Sequence, residues 1–175
     1  MDLQNLRDEY NLARRYTQSL YEDLSETQVQ WRPSPTGSGI AWHLGHQAAT
    51  NHVLLRNLIA AEPSLNPTFD AVFDAATAPQ TRDHLPCLPD IIAYREAVAA
   101  RTHAHINSLL TGGSTVAHDA AHQVGRLLEP LLVSLIHHEY QHDCWIREVR
   151  ALLGCAKPDA VFSRRLRQID GYWGL

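Results

Sequence analysis

The segment LEPLLVSLIHHEYQHDCWIREVRALLG, residues 128–154, sets Leu128, Leu131, Leu135, His138, His142, Trp145 or Ile146, Val149 and Leu153 at steps of three and four. Such steps mark one face of an α-helix. The spacing predicts a helix from Leu128 to Leu153, with Gly154 as its C-terminal cap and Pro130 confined to the first turn, where a missing N–H costs nothing. A stripe of this length must be buried against other elements, and the rest of the chain offers helices to do it.

Residues 3–24 carry Leu3, Leu6, Tyr10, Ala13, Leu20 and Leu24 at mostly helical steps behind an Asp2 cap. RPSPTGSG, residues 32–39, breaks the chain. IAWHLGHQAATNHVLLRNLIAA, residues 40–61, is apolar around most of its circumference and stops before Glu62-Pro63. A further helix spans Asp90 to Leu110, with Ile91, Tyr94, Val98, Thr102, His105 and Leu109 on one side, and TGGST closes it. The segment 62–89 is long for a loop in a compact domain, a length that implies a functional role or short helices within it. No periodicity assigns residues 115–127, and nothing reads as a strand. Residues 1–175 therefore form one all-α domain, a four-helix bundle.

A net charge of -4 and scattered basic residues argue against a nucleic-acid-binding face. Ser163 to Arg167, SRRLR, is the one locally basic stretch and reads as a solvated tail or a contact between copies, with phosphate or carboxylate capture as the alternative. Three cysteines, Cys87, Cys144 and Cys155, are an odd number without motif spacing, which fits a reducing cytoplasm. No apolar run approaches the length needed to cross a bilayer, and MDLQNLRDEY has no export signature.

Histidine is the compositional outlier, 11 of the 175 residues against about 2 to 3 per hundred in ordinary chains. His138 and His142 lie one turn apart in the predicted core seam, the arrangement that lets two imidazoles chelate one ion. His137 points about 100° away, toward a flank. In WHLGH, residues 42–46, His46 shares a face with Trp42, Ala49 and Val53, and Gly45 leaves room for a neighbouring helix or ligand beside it. His43, one turn before His46, is either a supporting group, an alternative ligand, or a surface or packing residue. His52, His84, His103, His118 and His122 read as surface residues, and His105 falls on an inward stripe.

His138-Glu139-Tyr140-Gln141-His142 also spells H-E-x-x-H, the zinc-protease motif. The extended form requires glycine where Trp145 stands and histidine where Glu148 stands, and no histidine follows His142. The protease reading fails for want of a third ligand.

WRPSPTGSGIAWHLGHQAATNHVLL and HHEYQHDCWIREVRALLG, on the second and fourth of four long helices, together resemble the DinB/YfiT superfamily. The resemblance covers nearly the whole chain. It implies a bundle of up-down-down-up order, in which the long second connection joins parallel neighbours. It also implies a divalent metal, Zn, Ni or Fe, on three histidines: one in a W-x-L-[AG]-H context and two in H-x-x-x-H. Carried onto this chain these are His46, His138 and His142.

Characterised relatives use such a site to transfer or isomerise small substrates with low-molecular-weight thiols such as bacillithiol, mycothiol or glutathione. The resemblance thus implies a thiol S-transferase-like enzyme acting on a small molecule. Two alternatives stand beside it: a hydrolase working through metal-bound water, and a metal-binding bundle without catalysis. Trp42, Tyr140, Gln141 and Trp145 are expected to line or support the pocket, with Gln141 or Glu139 behind the ligands. Similar sequences also form the amino-terminal domain of iron-dependent ergothioneine-synthesis enzymes, whose full reaction a single such domain is not expected to share. A homodimer fits the resemblance, with DGYWGL, residues 170–175, as a contact.

Overall fold

Local capping sets where the helices begin. The computed structural model describes residues 2–76, 82, 84–111, 118–156, 158, 163, 167–169 and 172–174, with 118–126 and the two C-terminal strands described by backbone alone. The Asp2 carboxylate accepts the N–H of Asn5 at 2.8 Å and opens α1, Leu3–Ser19. This helix is shorter than its apolar steps predict. Ser25 and Gln28 form a reciprocal capping box that starts a separate helix, α2, Glu26–Gln30. Leu20 and Leu24 are buried, but from the turn between the two helices.

Helix α3, Ile40–Leu55, continues into a π turn, Arg56–Ala60, that ends at Ala61 with φ at 50°. The stop thus falls just before Glu62-Pro63, as expected. The long connection holds one short helix, α4, Pro67–Val72, capped by Asn66. Helix α5, Leu88–Leu110, follows, with proline in its first turn. Helix α6, His118–Leu152, is 35 residues long and ends on Gly154 at φ 71°.

Pro130 departs from expectation: it lies in the interior of α6 rather than in its first turn. The position is exposed, so the carbonyl that proline leaves without an N–H partner can be hydrated. Ser134 Oγ donates to the Pro130 carbonyl at 3.0 Å. Residues 118–127, unassigned by periodicity, are helical, and 115–117 lie outside the described residues.

Pairings between helices give the direction of each. Arg7, Tyr10 and Arg14 of α1 meet Asn107, His103 and Glu96 of α5, so these two run antiparallel. Leu44 and Asn51 of α3 meet Arg95 and Thr102 of α5, so these run parallel. Thr17 of α1 meets Glu139 of α6, and Leu20 just beyond α1 meets Arg150, which makes that pair parallel too. The order is up-down-down-up, with α4 inside the connection that joins the parallel pair.

The open choice on α6 falls to Ile146, which is fully buried, while Trp145 is 39% exposed. Near the C-terminus, β1, Arg167–Ile169, pairs antiparallel with β2, Tyr172–Gly174. Strands of three residues are too short to show a period of two. Ser163 is buried and its hydroxyl donates to Glu9 Oε2 at 2.6 Å, so the start of SRRLR is anchored to α1 rather than solvated. Arg164 to Leu166 lie outside the described residues, as do Asp170, Gly171 and Leu175 of the expected dimer contact.

Candidate metal centre

Helices α3 and α6 cross where their histidines lie. His46, His138 and His142 each bring a ring nitrogen or its equivalent ligand atom within 4.8 Å of the others, a group that could hold a metal ion. The ring centroids are 5.2 Å apart for His46 and His138, 4.8 Å for His46 and His142, and 4.4 Å for His138 and His142. His46 and His142 are buried and His138 is half-buried.

The orientation of His46 is set from the long connection. Its Nδ1 lies 2.6 Å from the carbonyl oxygen of Phe73, at the end of α4. A carbonyl only accepts, so Nδ1 carries the proton and the lone pair sits on Nε2. Gly45 is what allows Phe73 to reach this place. A Cβ on Gly45 would stand 2.2 Å from the Phe73 ring. The close neighbour of Gly45 is therefore a residue of the long connection, not the neighbouring long helix or ligand expected.

His43 is buried rather than exposed, and its Nδ1 is 2.9 Å from Nδ1 of His142. Trp42 stacks on His46, with centroids 4.6 Å apart and planes 9° from parallel. The Arg82 guanidinium lies 3.8 Å from the centroid of Trp42. Trp145 stands edge-on to His142 at 4.7 Å.

The histidines are kept neutral. Burial lowers the pKa of His43 to about 3 and that of His138 to about 4, with the neighbouring His46 adding to both. Burial, and then His138, His43 and His46, push His142 lower still. Burial also lowers His46, against the Phe73 carbonyl, which raises it. A neutral imidazole is the form that offers a lone pair to a metal. Three converging neutral imidazoles suit a first-row divalent ion.

A cavity of about 490 Å³ lies against two of the three histidines, His46 and His142, and is walled also by Trp42, His43 and Trp145; His138 is not on its wall. Pro33, Glu148 and Leu152 stand further along its walls. Tyr140 and Gln141, the other two candidates, do not line this cavity. Tyr140 is 1% exposed and packs against Tyr16 in the core.

Beneath the cluster lies a buried polar network that sequence reasoning missed, apart from Glu139. Arg95 donates to Leu44 O at 2.7 Å, to Gln47 Oε1 at 2.8 Å and to Glu139 Oε2 at 3.3 Å. Thr17 Oγ1 donates to the same Glu139 oxygen at 3.1 Å. Gln47 Nε2 donates to the Glu139 carbonyl and to Asp143 Oδ1, which binds α3 to α6 directly. Burial and the nearby Glu139 carboxylate push the Asp143 pKa well above the usual range. One signal was present: Arg95 sits in step with Ile91, Val98 and Thr102 on the inward stripe of α5.

The other histidines divide. His52 is a correction, since it is 1% exposed and its Nε2 accepts the Leu65 N–H at 2.9 Å. The apolar second helix buries nearly all round, so a polar residue there finds a loop partner. His103 is half-buried against Tyr10, and His84 is exposed. His105 pairs with Glu62 at 3.0 Å rather than entering the core. The side chains of His118 and His122 lie outside the described residues.

The family model of the DinB superfamily matches residues 9–146, a span that contains all three converging histidines. The chain belongs to that superfamily. Among curated proteins none matches it. No described helix is long and apolar enough to cross a membrane.

Proposed function

We propose that this protein is a metal-dependent enzyme acting on small molecules, with thiol S-transferase-like chemistry at a divalent ion, Zn, Ni or Fe, held by His46, His138 and His142. The observation that carries this reading is that His46 and His142, two of the three converging histidines, line a cavity of about 490 Å³. A structural metal site is closed by a fourth protein ligand, whereas a catalytic one keeps a position for substrate. When bound, such an ion supplies Lewis acidity enough to hold a thiol as its nucleophilic thiolate.

The chain's own residues divide the remaining work. The Phe73 carbonyl orients His46 through its Nδ1. Trp42 is pinned between His46 and Arg82, so it forms a fixed wall. Trp145, partly exposed at the cavity wall, has ring surface available to an apolar substrate group. The volume and aromatic lining fall within the range of small-molecule pockets.

The test is the metal content of untagged protein purified without chelators, compared with His46→Ala and His138→Ala. About one ion per chain in the wild type, lost in both variants, is expected. Metal-loaded protein is then offered bacillithiol, mycothiol and glutathione, each with an electrophile. Thiol-dependent turnover above the metal-free protein supports the reading. Turnover without thiol points to hydrolysis, and tight metal retention without turnover points to a non-catalytic bundle.

A further inference from the structure

His43 lies beside the three converging histidines without joining them, and its contact with His142 restricts how His142 can act. Two ring nitrogens 2.9 Å apart share one hydrogen. Each neutral imidazole has a single N–H, so the pair has two arrangements. If His43 Nδ1 donates, the lone pair on His142 Nδ1 is consumed and His142 Nε2 carries hydrogen, leaving no lone pair for a metal. If His142 Nδ1 donates, its lone pair sits on Nε2 and His43 accepts. Only the second arrangement lets His142 serve as a ligand.

We infer that His43 is a positioning residue: by accepting the Nδ1–H of His142 it fixes Nε2 as the atom His142 presents to the metal. The inference rests on the metal reading given above. His43 then plays toward His142 the part that the Phe73 carbonyl plays toward His46. Both ligands present Nε2, one held by backbone and the other by a side chain. His43 is itself fixed in place, buried between the rings of Trp42 at 5.4 Å and Trp145 at 5.7 Å. Its own proton lies on Nε2, so it accepts at Nδ1 only while neutral.

Zinc affinity of wild type, His43→Leu and His43→Asn, measured by competition with a chromophoric chelator, tests the inference. Asn offers a carbonyl oxygen near the place of Nδ1, while Leu fills the space without an acceptor. The Leu variant is expected to bind zinc about 10- to 100-fold more weakly, and the Asn variant to recover most of the loss. Circular dichroism melts establish that each variant is folded. Nitrogen-15 spectra of histidine-labelled, zinc-loaded wild type provide a readout that needs no variant: His142 should show a protonated Nδ1 and a zinc-bound Nε2. Equal affinity in a folded Leu variant, zinc on Nδ1 of His142, or zinc on His43 overturns the role of His43 alone. Wild type that takes up no zinc overturns the zinc site and this inference together.

Discussion

A single missing methyl group decides how His46 is held. Gly45→Ala would drive a Cβ into the Phe73 ring and push away the carbonyl that fixes the His46 tautomer. Overpacking of this kind costs about 1 to 3 kcal/mol. Chemical denaturation of Gly45→Ala should show that loss, and zinc competition should show weaker binding even where the variant stays folded. The residue scale was half legible. Gly45 and His46 stand out in WHLGH, but Phe73 is 27 residues from His46. A backbone carbonyl carries no side-chain signature, so no motif could have named it.

The buried ion pair of Arg95 with Glu139, both about 4% exposed, joins α5 to α6, and Arg95 also donates to Leu44 and Gln47 of α3. Glu139→Ala would strand the Arg95 charge and also release Thr17. Removing one partner of such a pair costs about 3 to 5 kcal/mol, which equilibrium urea unfolding should read directly. Exposed pairs make the contrast. Arg14–Glu96, with Glu96 64% exposed, should cost about 1 kcal/mol or less on Glu96→Ala. Periodicity foretold two of the four long helices, α3 with its π turn and α5, to within two residues at both ends, because a buried apolar face repeats every turn. It missed the first ten residues of α6, where HDAAHQVGRL has no sustained apolar stripe, and it overran α1, where a capping box outweighs two well-spaced leucines.

Across the whole molecule, the buried histidines make the metal-free protein sensitive to acid. His43 and His138 have folded-state pKa values near 3 and 4, below the ordinary 6.5. Above about pH 6.5 both states are neutral and these groups contribute no pH dependence. Between about 6.5 and 4 the unfolded chain binds protons that the folded chain refuses. Stability should therefore fall as pH falls through that window, by about 1.4 kcal/mol per pH unit for each such group. Thermal melts of metal-free protein from pH 8 to 4 should show the decline. His138→Leu should make it shallower.

The sequence by itself determined the helices, their apolar faces and the spacing that puts His138 and His142 on one turn, since these follow from local geometry. Its two quoted stretches also carried the superfamily and, through it, the expectation that His46 joins the pair. Tertiary structure alone decided that the three rings converge, that His43 meets His142, and that Arg95, Gln47 and Asp143 form a polar floor beneath them. Those are contacts between residues 40 to 100 positions apart. Their distances depend on how helices cross, which the period along any one helix does not encode.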